Sequence, residues 1–137
     1  MKIIIFYESK FEEAEHIAHF LAHQIRTNGN EIKILNINQK NPIKTLDFNP
    51  EVILIAAPPH KCKWHCHFGK TAAYLKKMGK YYQNGGSIDI QKIGVFNCNE
   101  PEDYNCKIKT RIQKFFPNVK SYFFPSLQTN YYRIFDD

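Results

Sequence analysis

The chain has 137 residues, of which 43% are hydrophobic and 23% charged, with a formal net charge of +6. That balance matches a globular domain long enough to bury most of its apolar surface in one core, and it excludes disordered, fibrous and multi-domain classes. Residues 1–137 are therefore expected to form a single domain. The longest apolar runs, such as Val52 to Pro59, fall far short of the roughly 20 residues that a membrane-spanning helix needs.

Taken in order, Lys2 to Phe6 is a continuous branched apolar run, the pattern of a strand buried on both faces. It is too short for an export signal and lacks a small-residue cleavage site, so a cytoplasmic location is expected, with any membrane contact peripheral to the inner face. In that compartment Cys62, Cys66, Cys98 and Cys106 stay as thiols. A polar loop, Tyr7 to Phe11, follows. Ala14, Ile17, Ala18, Leu21, Ala22 and Ile25 then recur at three- and four-residue spacing, which predicts an amphipathic helix over Glu12 to Asn28. Asn28-Gly29-Asn30 supplies its stop.

Glu31 to Ile37 reads as the second strand and Val52 to Ala57 as the third, separated by a loop containing Pro42 and Pro50. After the loop Pro58 to Cys66, Phe68, Ala72, Leu75 and Met78 mark a second helix ending near Tyr82, before Asn84-Gly85-Gly86. Gln91 to Asn97 forms the fourth strand. Ile108, Ile112, Phe115 and Phe116 predict a third helix over Tyr104 to Phe116, closed by Pro117, and Val119 to Phe124 forms the fifth strand. Phe115, Phe116, Phe123 and Phe124 are expected in the core.

Alternating strands and helices predict an α/β fold, a doubly wound five-stranded parallel sheet of order 2-1-3-4-5, with a final helix that is short or missing before Asp137. Such a sheet binds ligands beyond the carboxyl ends of its strands, where the strand order reverses. Three loops are thereby singled out: Tyr7 to Ala14, Pro58 to Cys66, and Asn97 to Tyr104.

These loops, in this order, resemble the flavodoxin family, and within it the short, menaquinone-dependent, flavodoxin-like protoporphyrinogen oxidases. The resemblance spans nearly the whole chain. It is carried by Lys2-Ile3-Ile4-Ile5-Phe6-Tyr7, by Ile55-Ala56-Ala57-Pro58-Pro59-His60-Lys61-Cys62-Lys63-Trp64-His65, and by Phe123-Phe124-Pro125-Ser126-Leu127 with Tyr131-Tyr132-Arg133-Ile134-Phe135-Asp136. It implies an FMN-dependent oxidoreductase of haem biosynthesis, carrying electrons from an aromatic reductant to a quinone-type acceptor. The implied cofactor contacts are Ser9, Lys10, Phe11 and Glu12 around the phosphate, Pro59, His60, Lys61, Cys62, Lys63 and Trp64 against the isoalloxazine ring, and Asn97, Cys98 and Asn99 at its edge.

The first loop departs from that pattern. The family places hydroxyls and a glycine there so that backbone N–H groups at a helix start can wrap a phosphate. Here Glu12 stands at the glycine position and Ala14 at the closing threonine position, leaving Ser9 and Lys10 as the groups suited to an anion. Two unit charges of like sign about 6 Å apart repel by roughly 3 kcal/mol at an effective dielectric near 20. Glu12 and Glu13 either complement the macrodipole of the first helix, or one of them fills the anion site itself. This leaves a second expectation: a non-enzymatic binding or interaction domain with a degenerate phosphate loop and weak or no FMN binding.

His60 to His67 packs five potential metal ligands into eight residues. There is no paired C-x-x-C spacing, and Lys61 and Lys63 repel a cation, so no metal site is assigned. Trp64 is either a stacking platform for a flat aromatic ligand, flavin or porphyrinogen, or an exposed cover on the helix beneath. Asn97, Cys98, Asn99 and Glu100 either hydrogen-bond a flavin edge or form a polar turn before Pro101. His16, His19 and His23 fall on the polar face of the first helix and are read as solvated. No residue is a convincing acid or base, so no catalytic residue is assigned.

The positive charge predicts acidic partners, but the lysines are spread along the chain and no nucleic-acid motif accompanies them, so a solvated basic surface is expected. Association with a second copy of the chain is the remaining expectation, through the sheet face that a missing final helix would leave uncovered.

Overall fold

A computed structural model describes residues 1–8, 12–26, 29–37, 48–56, 69–83, 90–96, 112–124 and 133–136. The elements are β1 (Lys2–Tyr7), α1 (Glu12–Arg26), β2 (Glu31–Asn36), β3 (Val52–Ala56), α2 (Gly69–Gln83), β4 (Lys92–Phe96), β5 (Lys120–Phe124) and α3 (Arg133–Asp136). Residues 112–115 form a helical turn before β5. The remainder of the helix expected over Tyr104 to Phe116 lies outside the described residues.

The five strands form one sheet in the order β2-β1-β3-β4-β5. Every pairing is parallel, with Ile3 opposite Ile32 and Val52, Leu54 opposite Gly94, and Val95 opposite Phe123. This is the flavodoxin-like α/β arrangement, with a short final helix. Element ends fall within one or two residues of those the sequence predicts, the usual uncertainty of a fraying terminus.

Period-two alternation divides the sheet residues between two cores. Ile3, Ile5, Val52, Leu54, Ala56, Phe96 and Phe124 face α1, whose Ile17, Ala18, Leu21, Ala22 and Ile25 cover them, and α3 adds the fully buried Ile134. Ile4, Phe6, Leu35, Ile53, Ile55, Ile93 and Val95 face the opposite way, against Tyr74, Leu75 and Met78 of α2 and against Ile112, Phe115 and Phe116. Burial of each large aliphatic or aromatic side chain contributes about 1.5–3 kcal/mol, so both helical layers are held by apolar contact. β3 and β4 are buried along their whole length, as central parallel strands must be.

Two glycines set close approaches. A Cβ on Gly79 of α2 would collide with Cβ of Phe115, so the helix and the segment 112–116 meet almost backbone to backbone. A Cβ on Gly94 of β4 would meet Ile134 Cδ1 and Leu54 Cδ2 at 3.0 Å, so its absence makes room for α3 on the sheet. A third glycine ends α1: Gly29 adopts a φ of 79° and its N–H donates to the Arg26 carbonyl at 3.2 Å, while Asn30 Nδ2 donates to the Ile25 carbonyl.

On the outer face of α1, His16, His19 and His23 are exposed, as their position opposite the apolar stripe requires. Phe115, Phe116 and Phe124 are buried and Phe123 packs against the α2-side core. Among the described residues no helix is long and apolar enough to cross a membrane.

Candidate functional site

Strand order reverses between β1 and β3, because β2 lies on one side of β1 and β3, β4 and β5 follow on the other. A crevice beyond the carboxyl ends of β1 and β3 is where a doubly wound sheet presents its loops to a ligand. β1, β3 and β4 end on this edge at Tyr7, Ala56 and Phe96.

The described part of the edge is built around the last residues of β1. The Ile37 N–H donates to the Tyr7 carbonyl at 3.0 Å, which holds β2 beside β1 up to the point where the chain leaves the sheet. Glu8 comes next. It continues the alternation of Ile4 and Phe6, is only 2% exposed, and its Oε2 is shielded from solvent. On the α2 side of the sheet, where Ile4 and Phe6 point, the ring edge of Tyr74 meets Phe6 at 5.1 Å between centroids.

On the α1 side of the same strand, the Tyr7 ring lies 6.4 Å from that of His19. Burial pushes the Tyr7 phenol above its ordinary pKa of 10.0, and the nearby Glu15 carboxylate raises it further, since each disfavours a phenolate. Glu15 Oε1 approaches His19 Nε2 at 3.9 Å across one helical turn, an exposed contact of little energetic weight. Carboxylates thus flank the end of β1 on both sides of the sheet, and α1 opens on a further one, Glu12.

Of the residues implied as cofactor contacts, the structure places Glu12, at the first position of α1. Ser9, Lys10 and Phe11, then Pro59, His60, Lys61, Cys62, Lys63 and Trp64, then Asn97, Cys98 and Asn99, lie outside the described residues, as do all four cysteines and the ligand-rich run His60 to His67. Among the described residues no group of three His, Cys, Asp or Glu side chains is placed to hold a metal ion.

Glu8 is the residue that sequence reasoning passed over. Its signal was available: a charged residue at the next inward position after Ile4 and Phe6 has nowhere to go but the interior or the crevice. FMN would bring a dianionic phosphate to the loop that follows β1. A buried carboxylate at the start of that loop is a poor neighbour for it, because an ionised carboxylate repels an anion and donates no hydrogen bond.

No protein-family model matches the chain, and no curated protein matches it.

Proposed function

We propose that this chain is a flavodoxin-like binding domain that takes a flat aromatic ligand at the carboxyl edge of its sheet and has little or no affinity for the phosphate of FMN. The observation that carries this reading is Glu8, a carboxylate shielded from water at the strand-order reversal. An ionised carboxylate here adds negative potential to the edge that a phosphate would approach. A phosphate-free ring system meets none of that penalty.

The FMN-dependent, protoporphyrinogen oxidase-like redox activity is the second reading. It is supported by the 2-1-3-4-5 sheet, which ends β1, β3 and β4 at one edge as a flavin site of this class needs. A titration of purified protein with riboflavin and with FMN, followed by flavin fluorescence, separates the two. Riboflavin binding as tightly as FMN, or more tightly, supports the binding domain. FMN binding a hundredfold or more tighter than riboflavin would return the chain to flavin redox enzymes.

A further inference from the structure

Among the described residues ahead of α3, the acidic ones belong to the earlier elements. The described residues of β1, α1, β2 and β3, with their flanking turns, carry Glu8, Glu12, Glu13, Glu15, Glu31 and Glu51 against Lys2, Arg26 and Lys33. Those of α2, β4, the segment 112–116 and β5 carry seven lysines and no Asp or Glu.

Four of these lysines share one layer. Lys77 and Lys80 are exposed and Lys76 half-buried on α2, within a single turn, so their Cβ atoms are about 5–6 Å apart at the three- and four-residue spacings. The contact of Gly79 with Phe115 brings the segment 112–116 against this turn. Lys114 is exposed on that segment, and its Nζ lies 5.4 Å from the centre of the Phe115 ring. The large apolar residues exposed among the described ones, Met1 and Phe20, belong to other elements.

We infer that the layer formed by α2 and the segment 112–116 is an electrostatic docking face for the phosphate backbone of nucleic acid, bound without regard to sequence. Lysine ammonium groups are point charges, which neutralise phosphates without requiring one fixed geometry. Against the scattered carboxylates of an acidic protein, three exposed lysines and a half-buried one gain little, since surface ion pairs are worth about 0–1 kcal/mol each. Against a polyelectrolyte, each neutralised phosphate releases condensed counterions, and that gain accumulates with the number of contacts. A membrane surface would call for an apolar anchor beside the lysines, and the described residues of this layer expose none. No base-reading motif is needed; a sequence pI of about 9.1 and lysines gathered on one face are the electrostatic footprint of such binding.

Fluorescence anisotropy of the intact chain with a labelled mixed-sequence DNA duplex tests this. Four phosphate contacts give a slope of log affinity on log salt near −3.6, which is about a hundredfold loss between roughly 50 and 200 mM salt. The double variant Lys77→Gln, Lys80→Gln should flatten that slope by about 1.8, whereas Lys33→Gln, on β2, should leave it unchanged. Absence of binding at low salt overturns the inference. So do a slope unaltered in the double variant, and polyglutamate or phosphatidylserine vesicles binding as tightly as the duplex.

Discussion

The buried charged residues described in this chain are Glu8 and Lys92, and they lie at opposite ends of the sheet. Lys92 opens β4 at the amino end and is 7% exposed; its Nζ donates to the carbonyl of Ile134 in α3. That ammonium is absorbed by the fold: it ties the last helix to the sheet, and Gly94, two residues on, leaves room for the Ile134 side chain. Glu8 sits at the carboxyl end of β1, where backbone pairing stops and the chain leaves the sheet. In an α/β sheet the amino end is closed by packing and the carboxyl end carries ligands. A buried charge therefore has a different meaning at each end.

The largest expected effect comes from Lys92. Replacement by Ala removes both the donor to Ile134 and the buried stem, and should cost about 3 kcal/mol in urea unfolding. Replacement by Met keeps the volume and should cost roughly half as much, which isolates the hydrogen bond. Equal losses in the two variants would make Lys92 a matter of the hydrogen bond alone.

Gly79→Ala follows, at about 2 kcal/mol destabilising, because the new methyl must displace Phe115. The sign is the test, since helix propensity alone would make the same change stabilising by up to about 1 kcal/mol. Phe115→Gly, which removes the obstructing Cβ, should cost less in the Gly79→Ala background than in wild type.

Glu8→Gln should change stability less than either, by about 1 kcal/mol or under, since the amide keeps the volume and most hydrogen-bonding capacity. A loss above about 3 kcal/mol would make Glu8 a structural ion like Lys92 and dissolve the contrast between the two ends.

The smallest effect belongs to Tyr7. Its folded-state pKa is raised above 10.0, so the neutral phenol is favoured in the native state. This contribution to stability is full below the unfolded pKa of about 10 and is lost as pH rises through the folded value. Glu15→Gln should move the Tyr7 titration downward, followed by tyrosine ring NMR, while leaving most of the shift in place because burial is the larger cause.

The sheet was legible because its signals are local and redundant. Ile3, Ile4 and Ile5 are a branched apolar run, Ile17, Leu21 and Ile25 keep a helical period, and the alternation of element types leaves few topologies open. Sequence periodicity could not show that α2 and the segment 112–116 press together at Gly79, because that contact depends on a missing side chain at long separation. The lysines look dispersed for a related reason: spacing along the chain says nothing about which layers become neighbours. Glu8 is less conspicuous in the sequence than Glu12 and Glu13, where the resemblance to flavodoxins fails most visibly. The strand's own two-residue period pointed to Glu8 without help from any family pattern.

The most direct measurement is the affinity of FMN for wild type and for Glu8→Gln, titrated side by side with riboflavin. If the carboxylate at the end of β1 excludes the phosphate, the variant should bind FMN tenfold to a hundredfold more tightly, about 1.4–2.8 kcal/mol, and because the carboxylate is buried this gain should depend little on salt. Riboflavin affinity should be nearly the same in both proteins. Tight FMN binding by wild type that is indifferent to Glu8→Gln would contradict the account and leave the phosphate site intact.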